Sequence, residues 1–333
     1  MSMWAGIGLI ITSLMGGEAN ARCALPDGDD IQNVSSFKGL SRIVSGNYLR
    51  HSPYYFRWLV KDRTRESRGE SDDLSRSLLL DELSEAQLRL GNFADAASTM
   101  KSKSKLRYRD HLALGGIFML GEEFAKAHRF LGRAFEMNPN GVFLPEGYAK
   151  HVLDHIAEQR SRGRKKVPVM TLEERGAVLG GFAVFMKGVS SRAGISWETR
   201  TWREAVHGMV DLILCGHRGS PIVWEMLGDL LREAPDGAVK GARGLAAKAY
   251  LQASYQSSES LWGRLEYRTL ARKLLDRPTK AGLKKFERKF SKDLRRGTSL
   301  SKQVRKDEKR WSRAGKNLEL RFRKRYLSNV KAR

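Results

Sequence analysis

The stretch His111 to Pro139, HLALGGIFMLGEEFAKAHRFLGRAFEMNP, decides the fold. At its centre, Met119 to Ala127 (MLGEEFAKA) sets a turn glycine, an aromatic and small residues where one helix closes and an antiparallel one opens. Upstream, Arg89 to Ala96 (RLGNFADA) has the same order. Phe93 and Phe124 are 31 residues apart, as are Ala96 and Ala127, so the pattern is a tandem helical hairpin.

The spacing within the second copy resembles the tetratricopeptide repeat. Leu114 and Gly115 fall on its first-helix Leu-Gly pair and Phe118 on its aromatic position. Ala127, Leu131, Ala134 and Pro139 follow as its small, large, small and proline positions. His111 stands where that family usually has Trp. In physical terms Gly115 and Ala127 let two helices approach, Phe118 and Phe124 fill the space beside them, and Pro139 stops the second helix. The first copy departs further, with Ser84 at the glycine position and Lys103 where the second small residue belongs. A third copy begins at Trp224, with Leu227, Gly228 and Leu231, then Ala246, Tyr250 and Ala253, across a loop from Glu233 to Gly244 about six residues longer than the family norm.

Outward from these copies, helices are expected at about 54–63, 74–90, 148–159, 172–187 and 202–214, with a basic loop at 160–166 (RSRGRKK). No stretch alternates as a strand would. The expected fold is all-α, a TPR-like helical-hairpin solenoid with additional helices and a basic helical tail. Its segments are 1–21 (signal peptide), 22–76 (N-terminal helical), 77–140 (TPR-like repeats), 141–270 (further helical, degenerate TPR-like) and 271–333 (basic amphipathic tail).

Charge marks off that tail. The whole chain carries 61 Lys and Arg against 37 Asp and Glu, a net +24. Residues 271–333 hold 24 basic and 6 acidic side chains, +18, which leaves +6 for everything before them. The tail also has apolar stripes at helical spacing: Leu283, Phe286, Phe290 and Leu294; Leu300, Val304 and Trp311; Leu318, Phe322, Tyr326 and Val330. Gly297 and Gly315 are expected to divide these three stretches.

At the N-terminus, Trp4 to Gly17 is uncharged and largely apolar, short of the ~20 residues that cross a bilayer, and Ala19-Asn20-Ala21 suits signal-peptidase cleavage after Ala21. The chain therefore reads as exported, periplasmic or envelope-associated, with a cytoplasmic location as the alternative because no Lys or Arg precedes Trp4. Arg22 before Cys23 speaks against lipid attachment. Export would permit one Cys23–Cys215 disulfide, and two separate thiols are the plainer reading.

Catalytic constellations are not evident. His151 and His155 lie one turn apart, but Val152 replaces the Glu of a zincin helix and no third ligand is in view. Cys215 and His217 are two apart, a spacing that separates side chains on a helix. Gly176, Gly180 and Gly181 lack the Lys-Ser/Thr of a phosphate loop and read as close helix packing. Asp72-Asp73, Glu122-Glu123 and Glu173-Glu174 sit at expected helix starts, where negative charge suits the dipole. The expectation is thus a non-enzyme without cofactor or metal.

Two binding readings remain. In one, a repeat groove takes a protein partner on helices carrying His111, Gly115, Phe118 and Trp224, residues that also serve packing. In the other, the tail binds a polyanion through Lys284, Lys285, Arg288, Lys289, Arg295, Arg296, Arg305, Lys306, Arg323, Lys324 and Arg325. Phe286, Phe290, Trp311 and Tyr326 would then stack on bases or enter a lipid interface. The anionic partner would be an envelope or membrane surface, a polymer or an acidic protein, and nucleic acid only if the chain is not exported.

Overall fold

The computed structural model describes residues 37–161, 181–257 and 261–328. Among the described residues the chain is all-α, with fourteen α-helices packed in sequential pairs. The first half comprises α1 (Phe37–Ser45), α2 (Pro53–Gly69), α3 (Asp73–Arg89), α4 (Phe93–Lys101), α5 (Tyr108–Leu120), α6 (Phe124–Met137) and α7 (Tyr148–Ser161). Then come α8 (Phe182–Arg192), α9 (Thr199–Cys215), α10 (Pro221–Arg232), α11 (Ala242–Gln256), α12 (Leu261–Lys273), α13 (Lys280–Arg313) and α14 (Leu318–Phe322).

The sequence sets many of these starts through caps. Ser52-Pro53 opens α2 and Ser220-Pro221 opens α10, in each case with a serine hydroxyl accepting a first-turn N–H and a proline whose fixed φ suits the first helical position. Asp72 accepts from Ser75 N at 2.7 Å to open α3, and Thr279 accepts from Gly282 N at 2.9 Å to open α13.

The α5–α6 hairpin packs as its spacing demands. A methyl group at Gly115 would stand 2.5 Å from Leu131 Cγ, so the helices touch because glycine is there. Ala127, Leu131 and Ala134 are wholly buried, and α6 ends two residues before Pro139. In the α3–α4 hairpin the two departures have their own geometry. Ser84 is buried and its hydroxyl donates to Ala96 O across the hairpin at 2.9 Å. Lys103 lies beyond α4, where its ammonium bridges Asp81 and Asp110 with a side chain only 3% exposed. In α10–α11, a methyl at Gly228 would meet the Tyr250 ring at 2.8 Å.

A buried polar network joins α8, α10, α11 and α12. Asp229 accepts from Tyr250 Oη at 2.5 Å and from Phe182 N at 3.0 Å, capping α8 from a neighbouring helix. Tyr267 Oη donates to Glu225 at 2.8 Å. Burial raises the pKa of Asp229 and of both phenols.

Three expectations need correction. Gly297 does not divide the tail: α13 runs unbroken for 34 residues and Gly297 is buried within it. Gly315 does end it, at φ +61. Gly181 is not a helix-packing residue but sits at φ +75 just before α8, with open space where a side chain would be. Cys215 at the end of α9 is disulfide-bonded, against the plainer reading of independent thiols, because sequence separation carries no information on spatial separation. The one other cysteine, Cys23, lies outside the described residues, as do the signal segment, Gly176, Gly180, Glu173-Glu174, Val330 and most of the 160–166 loop.

Candidate polyanion-binding ridge

Along α13, Leu283, Phe290, Gly297, Val304 and Trp311 recur every seven residues, and all five are buried. A seven-residue repeat keeps one seam of a helix against its support. At the centre of the seam α13 crosses the end of α1 so closely that a Gly297 methyl would lie 2.6 Å from the backbone of Gly46. Beyond it, Val304 and Trp311 join Leu318 and Phe322 in a small cluster against Leu49, Tyr55 and Trp58.

A polar latch fixes this second half. Glu308 has 0% exposure; its Oε1 lies 2.7 Å from His51 Nδ1 and its Oε2 accepts from Ser52 N at 2.8 Å. The His51 ring stacks on Tyr55 at 3.6 Å and tilts against Phe322 at 4.1 Å. Asp307 accepts from Tyr326 Oη at 2.7 Å and forms an ion pair with Arg325, whose Nε also lies 2.7 Å away. Burial pushes the Asp307 carboxyl up, but hydrogen bonds from Tyr326 and Gln303 and the charges of Arg325 and Arg310 outweigh it and hold the pKa low.

With the seam inward, the cations of the helix face out. Among the described residues Lys284, Lys285, Arg288, Lys289, Lys292, Arg295, Lys302, Arg305, Lys306 and Arg313 are exposed and make no ion pair. The four carboxylates of α13 are engaged by their own partners: Glu287 by Arg268, Asp293 by Lys248, Asp307 by Arg325 and Glu308 by His51. The result is a row of unneutralised charge about 44 Å long, from Lys284 to Arg313 at about 1.5 Å per residue. Arg296 lies 3.9 Å from Asp293, Arg323 pairs with Glu319, and Lys324 is exposed beyond them.

The aromatics expected to reach a ligand point the other way. Phe290 and Trp311 are buried, Phe286 packs partly buried against the core, and Tyr326 is held by Asp307. Sequence reading missed the latch residues His51, Asp307 and Glu308. Their available signal was the seven-residue repeat running through Gly297, which implies one helix and hence an inward position for Glu308.

Of the groove residues, Trp224 is wholly buried, its Nε1 donating to Arg218 O at 2.7 Å, and Phe118 is 5% exposed and stacked on Phe130 at 5.3 Å. His111 is half-buried beside Phe130; burial and then the charge of Arg133 lower its pKa against the pull of Asp110. His151 and His155 are buried in α7 among Tyr148, Phe182 and Phe185. A cleft of about 420 Å³ lies between α6, α7 and α8, where Lys150 pairs with Asp154 at 2.5 Å. The disulfide occupies the Cys215 sulfur, so it makes no thiolate–imidazole pair with His217. Among the described residues no helix is long and apolar enough to cross a membrane, and no group of three or more His, Cys, Asp or Glu is placed to hold a metal ion. No protein-family model matches the chain, and no curated protein or solved structure is significantly similar to it.

Proposed function

We propose that this chain is a non-catalytic helical scaffold that binds a polyanion through the outward face of α13. The observation that carries the reading is the row of ten exposed cations without ion-pair partners on one face of a docked helix. Such a row holds its charge in a fixed line, so a polyanion laid along it releases counterions from several sites at once. No side chain on that face is aromatic, which supports recognition of charge over recognition of bases. The disulfide at Cys215 supports an oxidising compartment, and with export the partner is an anionic envelope surface or polymer in preference to nucleic acid.

A second reading, a protein partner held in a tetratricopeptide-like groove, is favoured by the close α5–α6 contact at Gly115. It draws less support, because Phe118 and Trp224 are committed to packing.

The test replaces Lys284, Lys285, Arg288, Lys289, Lys292 and Arg295 with Gln and measures salt elution from immobilised heparin. The control replaces six other exposed cations, Arg76, Lys105, Arg129, Arg203, Lys240 and Arg243. The ridge variant should elute at markedly lower salt than the control, although both lose six charges. Equal elution of the two refutes a ridge and leaves only net charge.

A further inference from the structure

Away from the ridge, on the inner side of α13, Tyr48 and Arg50 of the loop after α1 meet Arg218 of the turn between α9 and α10. Gly46 turns the chain at φ +67, and the space a side chain would take there is filled by the Arg218 guanidinium, with Nη2 only 2.1 Å from where a Cβ would lie. Arg218 Nη1 donates to Tyr48 Oη at 3.3 Å. Arg50 approaches the same ring, its guanidinium carbon 5.8 Å from the centroid, the same distance as that of Arg218. Arg50 Nε is held by Ser301 Oγ at 3.1 Å, so α13 orients this side chain.

Two half-buried guanidiniums on one buried phenol are an unbalanced arrangement. Among the described residues neither Arg50 nor Arg218 makes an ion pair. Glu308 of α13 is engaged by His51 and Ser52. Burial lowers the pKa of Arg218 against the opposing pull of Tyr48, and the charge of Arg50 lowers it further. Each guanidinium has five N–H donors, of which the contacts above use one apiece. Both side chains are only partly buried, so part of each stays open to solvent.

The geometry points to an oxyanion-binding site at Arg50, Tyr48 and Arg218 that takes a phosphoryl group. Paired guanidinium forks present several coplanar donors to tetrahedral oxygens and match a dianion in charge. The fixed positions, set by Gly46 on one side and Ser301 on the other, distinguish this site from the freely solvated cations of the ridge.

The probe is inorganic phosphate, titrated calorimetrically into the full chain at constant ionic strength made up with sodium chloride. One saturable site per chain is expected, weakened at least tenfold by Arg218→Met and by Arg50→Met and unchanged in the six-residue ridge variant. A second readout covers the case of a misfolded variant. In phosphate-free buffer either Met variant, by removing one of two repelling charges, should melt no lower than the parent, and added phosphate should raise Tm only for the parent. Absence of a saturable site in the parent, binding indifferent to both Met substitutions, or loss of binding in the ridge variant would each overturn the inference. Because the ridge variant is scored separately, the site and the polyanion reading stand or fall independently.

Discussion

Glu308→Ala tests whether the latch holds the cationic helix to the body. The wild-type carboxyl is wholly buried and satisfies two partners at once, His51 Nδ1 at 2.7 Å and Ser52 N at 2.8 Å. Truncation leaves a backbone N–H and a ring nitrogen without their acceptor, in a pocket closed by Tyr55 and Phe322. Each buried group left unsatisfied costs about 1–3 kcal/mol, and breaking a buried pair typically costs about 3–5 kcal/mol. Against a total stability of about 5–15 kcal/mol this is a large fraction. Urea denaturation followed by far-UV circular dichroism reads the loss as a lower midpoint. Glu308→Gln, which keeps an acceptor for one partner, should lose less. The double variant with His51→Ala should cost clearly less than the sum of the single variants, because the two residues share one contact. A loss below about 1 kcal/mol for Glu308→Ala, or strict additivity in the cycle, refutes the reasoning.

Three further outcomes follow from named contacts. Gly297→Ala should destabilise the chain, although alanine favours a helix by about 1 kcal/mol over glycine, because its methyl would stand 2.6 Å from the Gly46 backbone; a stabilised variant in urea denaturation would disprove the close crossing. Burial lowers the pKa of His217 from an ordinary 6.5 to about 4. The unfolded chain therefore takes up a proton below pH 6.5 that the folded chain refuses, and stability falls between pH 6.5 and 4 by about 3 kcal/mol at 1.4 kcal/mol per unit. His217→Gln should remove that portion of the pH dependence, read as denaturation midpoints at pH 7 and 4.5, and an unchanged profile would count against burial of a neutral ring. Asp307 behaves in the opposite sense to a raised acid. Its lowered pKa contributes stability above the ordinary carboxylate range that is lost as pH falls through it, so Asp307→Asn should flatten the acid limb of the same titration.

The helical hairpins were legible because their determinants are local. Gly115, Ala127, Leu131 and Pro139 each act on neighbours within one hairpin, and the structure finds each in the contact its spacing implies. Ser84 and Lys103 were harder to read because each is explained by a polar partner that hydrophobic spacing does not reveal: Ala96 O across the hairpin for the hydroxyl, and Asp81 and Asp110 for the ammonium. The tail departs from expectation at Gly297 and in the inward packing of Phe290, Trp311 and Tyr326. Glycine is a helix breaker by propensity, costing about 1 kcal/mol in a helix interior, and nothing near Gly297 in sequence announces that Gly46 needs the space. Tertiary contact overrides propensity there. The approach of Arg50 and Arg218 to the one Tyr48 ring is of the same kind, since Arg218 comes from a segment far along the chain.

That one glycine also explains how so cationic a helix can be folded at all. Fourteen basic side chains on α13 repel one another, and a free helix of this composition would gain little from its own propensity. Docking supplies what is missing: Leu283, Phe290, Val304 and Trp311 leave water, and Gly297 lets the unbroken helix pass close to the end of α1. The four carboxylates are drawn inward or sideways, where they satisfy body residues, so the outward face keeps its charge unbalanced. A tail needed only for packing would not require this separation, because a neutral outer face would dock by the same seam with less repulsion. The cost in stability of keeping Lys284 to Arg313 so positive is therefore the strongest physical reason to look for what binds there.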